Sequence, residues 1–251
     1  MTSFNHFITK TSLNNQLSRI SKFAGLIASF GHDVGHRGKN NGYEISSMSD
    51  VALTYHDKSV LEQYHISILM KIIDQSQSNI LERVSLTDLR TIRKSIINCI
   101  LATDMSKHKP LLAEFEKNMA GNKAKLAKGE NLTQDQQDKI MELFMHCSDL
   151  SGTAKECALA TKWSGMVRKE FIQQVKDEKA NGFPLTPFLV GLEHEVKYLK
   201  GELFFQKCIV LHLFEVGNQY LDGEIDEVID GIKDTYSRFD KRFKEVTEDQ
   251  S

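Results

Sequence analysis

Apolar residues recur along most of this chain at intervals of three and four, the spacing that places them on one face of a helix, while strand-like alternation is rare. The first stripe, Leu17, Ile20, Phe23, Ala24 and Ile27, predicts a helix over 17–30 that Gly31, Gly35 and Gly38 then break. Two more helices are predicted over 46–55 and 59–75, the second with Val60, Leu61, Tyr64, Ile68 and Ile72 in register. Ser85 to Asp88 reads as a helix start, and Leu89, Ile92, Ile96, Ile97 and Ile100 follow as a buried stripe leading to Thr103 and Asp104. A shorter helix over 111–119 gives way to 120–131, where Gly121, Gly129 and three lysines predict an exposed loop. Thr133 with Gln136 has capping-box spacing and opens a helix whose buried face is Ile140, Leu143, Phe144 and Cys147. A helix over 163–181 should end at Gly182-Phe183-Pro184, and the apolar stretch 193–220 should cross the core. The charged segment 224–246 is amphipathic, with Ile225, Val228, Ile229, Ile232, Tyr236, Phe239 and Phe243 on one side; it either lies across the body of the domain or pairs with a second chain as a homodimer. With three prolines, no repeat and no linker, one cooperative all-α domain over residues 1–251 is the simplest expectation.

Composition narrows the partners. Lys plus Arg number 32 against 34 for Asp plus Glu, a net charge of -2, which gives no support for a nucleic-acid binder. The four cysteines, Cys99, Cys147, Cys157 and Cys208, show no C-x-x-C spacing and fit reduced thiols better than a disulfide frame. No signal-peptide pattern and no transmembrane run is visible, so a cytoplasmic protein is expected.

The candidate chemistry lies where polar groups interrupt apolar helices. His32-Asp33-Val34-Gly35-His36 stands directly behind the run Phe23 to Phe30. His65, Asp104, His146 and Asp149 lie within or at the ends of other apolar segments. Imidazole suits a borderline-soft metal, and carboxylate suits a harder ion or can bridge two. A buried carboxylate is costly without a metal, charge or hydrogen bonds, so acids ending several helices suggest one shared polar centre. The alternative is a set of unrelated caps and surface loops.

The ordered strings are more specific. H-D-V-G-H-R-G-K-N-N at 32–41, D-V-A-L-T-Y-H-D-K-S-V-L-E-Q-Y-H at 50–65, I-L-A-T-D-M at 100–105, H-C-S-D-L-S at 146–151 and G-F-P-L-T-P at 182–187 occur in this order, with K-W at 162–163 and E-F at 170–171 between the last two. Together they resemble the catalytic domain of the class I 3',5'-cyclic nucleotide phosphodiesterases. The resemblance implies a compact multi-helix, HD-type all-α fold holding two divalent ions, one usually zinc and the other magnesium or manganese. It implies that His32 ligates the first ion, that Asp33 touches or bridges both, and that Asp149 approaches from the opposite side. His36 and Asp104 would surround the second ion and position water, with His65 and Glu62 in a supporting polar network. Tyr55, His56, Glu202 and Phe205 would contact the substrate. Two cations would neutralise the cyclic phosphodiester and lower the pKa of water between them, and the product would be a nucleoside 5'-monophosphate.

The chain departs from that pattern in three places. The family's H-N-x-x-H segment, which supplies the leaving-group acid and one metal ligand, is absent from the 251 residues, and its spacing would place it before Met1. A domain truncated at its N-terminal side is therefore expected, with metal bound weakly and turnover slowed on the order of 10²–10⁴-fold. Phe4-Asn5-His6 is the one local string of similar flavour. Second, aligning through L-F-F-Q-K-C-I-V puts Glu202 where the family has a base-reading glutamine and Phe205 where it has a stacking phenylalanine. Glutamine donates and accepts, whereas an ionised glutamate only accepts, which tilts the expectation toward cyclic AMP over cyclic GMP. Third, His56 stands where the family usually has asparagine. Three other readings remain open: an impaired relative that binds nucleotide or a protein partner, another HD-type phosphohydrolase, and a purely structural helical protein.

Overall fold

The computed structural model describes residues 2–248, and among these every regular element is helical. In chain order the first helices are α1 (Thr2–Lys10), α2 (Leu13–Gln16), α3 (Arg19–Gly31), α4 (Asn41–Ser46), α5 (Asp50–Tyr55) and α6 (Val60–Asp74). They are followed by α7 (Leu86–Leu101), α8 (His108–Ala127), α9 (Gln134–Asp149) and α10 (Cys157–Ala180). Last come α11 (Glu195–Phe205), a π-helical stretch Gln206–Leu211, α12 (His212–Tyr220) and α13 (Asp226–Glu248). The chain divides into two compact units: one is Met1–His36, Lys58–Asp149 and Val216–Glu224, and the other is Arg37–Asp57, Leu150–Glu215 and Ile225–Ser251.

In the first unit α3 packs against α1, α6, α7 and α9. Four neighbours around one helix leave room only for small side chains, and the buried face of α3 is Ala24, Gly25, Ala28 and Gly31, with Ile27. A Cβ on Gly25 would lie 2.4 Å from the Phe4 ring, and one on Gly31 would lie 2.6 Å from Leu69. The large-residue stripe expected here is therefore only partly buried: Phe23 is exposed while Ala24 and Ile27 are inside. α9 is buried nearly all round, through Ile140, Met141, Leu143, Phe144, Met145 and Cys147, as a central helix must be. Its capping box forms as expected: Gln136 N–H donates to Thr133 Oγ1 (3.3 Å) and Thr133 N–H to Gln136 Oε1 (3.0 Å). Ser85 likewise caps α7 by accepting from Asp88 N–H at 3.2 Å.

Several boundaries differ from the expectation. The predicted loop over 120–131 is helical as far as Ala127, because buried Met119 and Asn122 anchor that turn and Asn122 Oδ1 accepts from Gln136 Nε2 at 2.8 Å. Gly121 faces open space, where glycine in a helix costs only about 1 kcal/mol. The helix predicted over 46–55 is broken at Met48, whose φ of 49° is left-handed, so α4 and α5 are separate. α10 begins at Cys157 rather than Trp163. No helix was predicted for 2–16, yet α1 and α2 bury Phe4, Phe7, Ile8 and Leu13.

In the second unit Val175, Leu189 and Leu192 form a core with Phe171, Ile172, Val190 and Tyr198. α13 packs along α10 and α11 of its own unit, burying Ile229, Ile232 and Phe239. Among the described residues no helix is long and apolar enough to cross a membrane.

The contact between α1 and α3 generates a test. Phe4→Ala should destabilise the protein by about 3–5 kcal/mol, and Gly25→Ala by about 1–3 kcal/mol through its clash with that ring. Urea unfolding measures both. Combining Gly25→Ala with Phe4→Leu should recover part of the Gly25→Ala loss.

Candidate metal centre

The two strongest candidates sit at helix ends because their helices stop there. His32 is the C-cap of α3, and its Nδ1 lies 3.0 Å from the carbonyl of Ser29. A carbonyl only accepts, so Nδ1 carries the proton and the Nε2 lone pair of neutral His32 points away from the helix. Nε2 lies 3.2 Å from Asp149 Oδ1 and 3.5 Å from Asp33 Oδ2. Asp149 is the last residue of α9, and Asp33 begins the turn after α3.

These three side chains each offer one ligand atom, all within 4.8 Å of one another, and form the one such group found among the described residues. Metal bonds of about 2.0–2.2 Å place neighbouring tetrahedral ligand atoms about 3.4 Å apart. The observed 3.2 and 3.5 Å separations meet that requirement. One imidazole and two carboxylates make a donor set suited to a divalent ion.

Without an ion, a proton takes its place. Burial disfavours the charged form of His32, but the hydrogen bond to Asp149, the charges of Asp149 and Asp33 and the Ser29 carbonyl outweigh it and raise its pKa to about 8.

His65, on α6, has Nδ1 2.8 Å from the carbonyl of Val34 and Nε2 3.9 Å from Asp33 Oδ1. It ties α6 to the turn that carries Asp33. Burial lowers its pKa, opposed by Val34 and Asp33 and assisted by His36 and His32. His36 stacks on the His65 ring with centroids 5.8 Å apart. Glu62 lies in the first turn of α6, half-buried and one turn before His65.

Asp104 is buried at the end of the turn that follows α7. Its Oδ1 accepts from Ser106 N–H at 2.9 Å, capping the 3-10 turn Met105–Lys107, and its Oδ2 accepts from Ser59 Oγ at 2.7 Å. His6 is exposed on α1 and is no member of the metal group.

The sequence reading missed His108. It is buried at the start of α8, with Nδ1 3.0 Å from Nε2 of His146, whose own pKa burial lowers to about 4. Only its position four residues after Asp104 hinted at a shared centre.

The residues expected to contact substrate lie in the second unit. Tyr55 ends α5 half-buried, and exposed His56 is its C-cap with a left-handed φ of 53°. Glu202 and Phe205 lie in the last turn of α11, immediately before the π-helical stretch.

A profile for 3'5'-cyclic nucleotide phosphodiesterases matches residues 1–232. The chain belongs to this phosphodiesterase family. It is 31% identical over 221 residues to the 3',5'-cyclic-AMP phosphodiesterase 4C of Rattus norvegicus, covering 87% of this chain and 41% of that protein. It is 29% identical over 234 residues to a 3',5'-cyclic-AMP phosphodiesterase, isoform F, of Drosophila melanogaster, covering 92% of this chain and 35% of that protein. The chain thus spans less than half the length of these curated relatives. The crystal structure of the phosphodiesterase domain of a rhodopsin fusion protein from the choanoflagellate Salpingoeca rosetta superposes with a TM-score of 0.89 at 26% identity, covering 98% of this chain and 76% of that one. The all-α architecture is that of phosphodiesterase catalytic domains.

Proton and metal should compete at His32. Since its pKa is raised from 6.5 to about 8, the metal-free fold carries a stabilisation of at most about 2 kcal/mol that is full below pH 6.5 and lost as pH rises through about 8. Metal affinity should run the other way, tightening up to about tenfold per pH unit as pH rises toward 8 and levelling above it. Isothermal titration with Zn²⁺ across pH 6–9 should show this slope and the release of a proton below pH 8, and His32→Ala should remove both.

Proposed function

We propose that this chain is a metal-dependent phosphodiesterase that hydrolyses 3',5'-cyclic nucleotides to nucleoside 5'-monophosphates in cytoplasmic signal transduction. The observation that carries the reading is the convergence of His32, Asp33 and Asp149 at the ends of α3 and α9, in a chain of this family. His32 and Asp149 would hold the tighter ion, zinc. Asp33 turns one oxygen toward His32 and the other toward His65, which leaves its carboxylate able to reach a second ion, magnesium or manganese. Bound divalent ions would neutralise the phosphodiester and supply an activated water.

The protein's own groups set the geometry. The hydrogen bond from His65 to the Val34 carbonyl fixes the turn bearing Asp33, and the stacked ring of His36 covers His65. Glu62, one turn earlier on α6, would join His65 in a supporting polar network. Asp104, anchored by Ser59 and by the turn before α8, would with His36 position water on the second ion. Tyr55, His56, Glu202 and Phe205 would contact the nucleotide, Phe205 by stacking and Glu202 by accepting from an exocyclic amine, which favours cyclic AMP over cyclic GMP.

Two departures from the family's pattern favour a second reading, an impaired relative that binds nucleotide or a partner without efficient turnover: His56 and Glu202 stand where the family has asparagine and glutamine. Hydrolysis of cyclic AMP and cyclic GMP by the purified chain with Mg²⁺ or Mn²⁺ separates the two. Metal-dependent turnover that falls at least about 10²-fold in Asp149→Ala supports the enzyme, and nucleotide binding without turnover supports the second reading.

A further inference from the structure

Glu202 is a mostly buried carboxyl group surrounded by neutral partners. It accepts a hydrogen bond from Ser164 of α10, and one oxygen lies 3.4 Å from Nε2 of Gln206 in the π-helical stretch. Ser164 Oγ is 2.5 Å from the hydroxyl of Tyr198, one turn earlier on α11. The arginines of α10 and α13 are engaged elsewhere. Arg168 of α10 stacks 4.3 Å over the Tyr198 ring and donates to the carbonyls of Leu192 and Glu193. From α13, Arg242 pairs with Glu195 and Arg238 with Asp234. No cation among the described residues pairs with Glu202.

A carboxylate so placed has lost water without gaining a counter-charge. Burial pushes its pKa up, outweighing the opposing hydrogen bonds from Ser164 and Gln206. Phe205, three residues after Glu202 and therefore on the same face of α11, is half-exposed and offers an apolar ring to a flat ligand. A base stacked there would exclude more water from Glu202 and favour its neutral form further. The neutral acid has one O–H donor and one carbonyl acceptor, the two polarities of an amide, whereas the ionised form has acceptors alone.

We propose that Glu202 reads the base as a neutral carboxylic acid, so that nucleotide binding takes up one proton from solvent at this residue. This rests on the reading that Glu202 contacts the base. It makes Glu202 a specificity-determining residue whose affinity for substrate follows pH, in contrast to a glutamine.

The test uses the full chain and a hydrolysis-resistant phosphorothioate analogue of cyclic AMP, with saturating Mg²⁺. Binding is followed by calorimetry in two buffers of different ionisation enthalpy, for the wild type and for the near-isosteric Glu202→Gln. Thermal melting confirms that the variant is folded. The wild type should take up protons on binding, with affinity weakening by up to about tenfold per pH unit on the alkaline side. Glu202→Gln should lose the uptake and bind with a flat pH profile, and the KM for cyclic AMP should follow the same contrast. If Glu202→Gln changes affinity but retains the wild-type proton uptake, base contact stands and the proton coupling is overturned. If neither Glu202→Gln nor Glu202→Ala changes affinity, the base-contact reading falls, and this proposal with it.

Discussion

Negative potential converges on a single point of the first unit, and a cation must answer it. Asp33 and Asp149 bring two carboxylates within 4.8 Å of His32 Nε2, at the carboxyl ends of α3 and α9. Helix carboxyl ends themselves carry partial negative charge, so the peptide dipoles add to the repulsion between the acids and favour any positive charge placed there. A proton on His32 meets the demand in one state and a divalent ion in the other. This ties the protonation, the metal affinity and the local stability of the centre together.

That convergence depends on how closely helices approach α3. Gly25 and Gly31 let Phe4 and Leu69 press against its backbone, and larger residues there would push α1 and α6 outward. The hydrogen bond from His65 to Val34 then fixes the turn after α3. Packing several residues away thus sets ligand separations that a metal tolerates only within a few tenths of an ångström.

Much of this was legible in the residues. Helical spacing gave the core helices, and capping pairs such as Ser85–Asp88 and Thr133–Gln136 marked two starts to the residue. The acids at 33 and 149 stood out because each ends an apolar run. What escaped reading depends on partners distant in sequence. Gly121 resembles a loop until Asn122 is seen buried against Gln136. The bond that Asp104 accepts from Ser59 likewise joins segments that the sequence holds apart. The pairing of His108 with His146 needs the rotation of two helices about their axes, which periodicity does not supply. α1 does carry Phe4, Phe7 and Ile8 at helical spacing, but the stripe spans little more than one turn, and the gap that Gly25 leaves on α3 is what receives Phe4.

The π-helical stretch Gln206–Leu211 sets a different kind of rule. A wider turn accommodates an added residue within an otherwise continuous rod, and in a regular helix each residue advances the side chains by about 100°. Leu213 and Phe214, fully buried downstream, therefore owe their inward direction to the residue count upstream of them. Gaining or losing one residue across this segment would turn both side chains away from the core, whereas exchanging a side chain within it would leave their direction unchanged. Here the number of residues constrains the core more than their identity does.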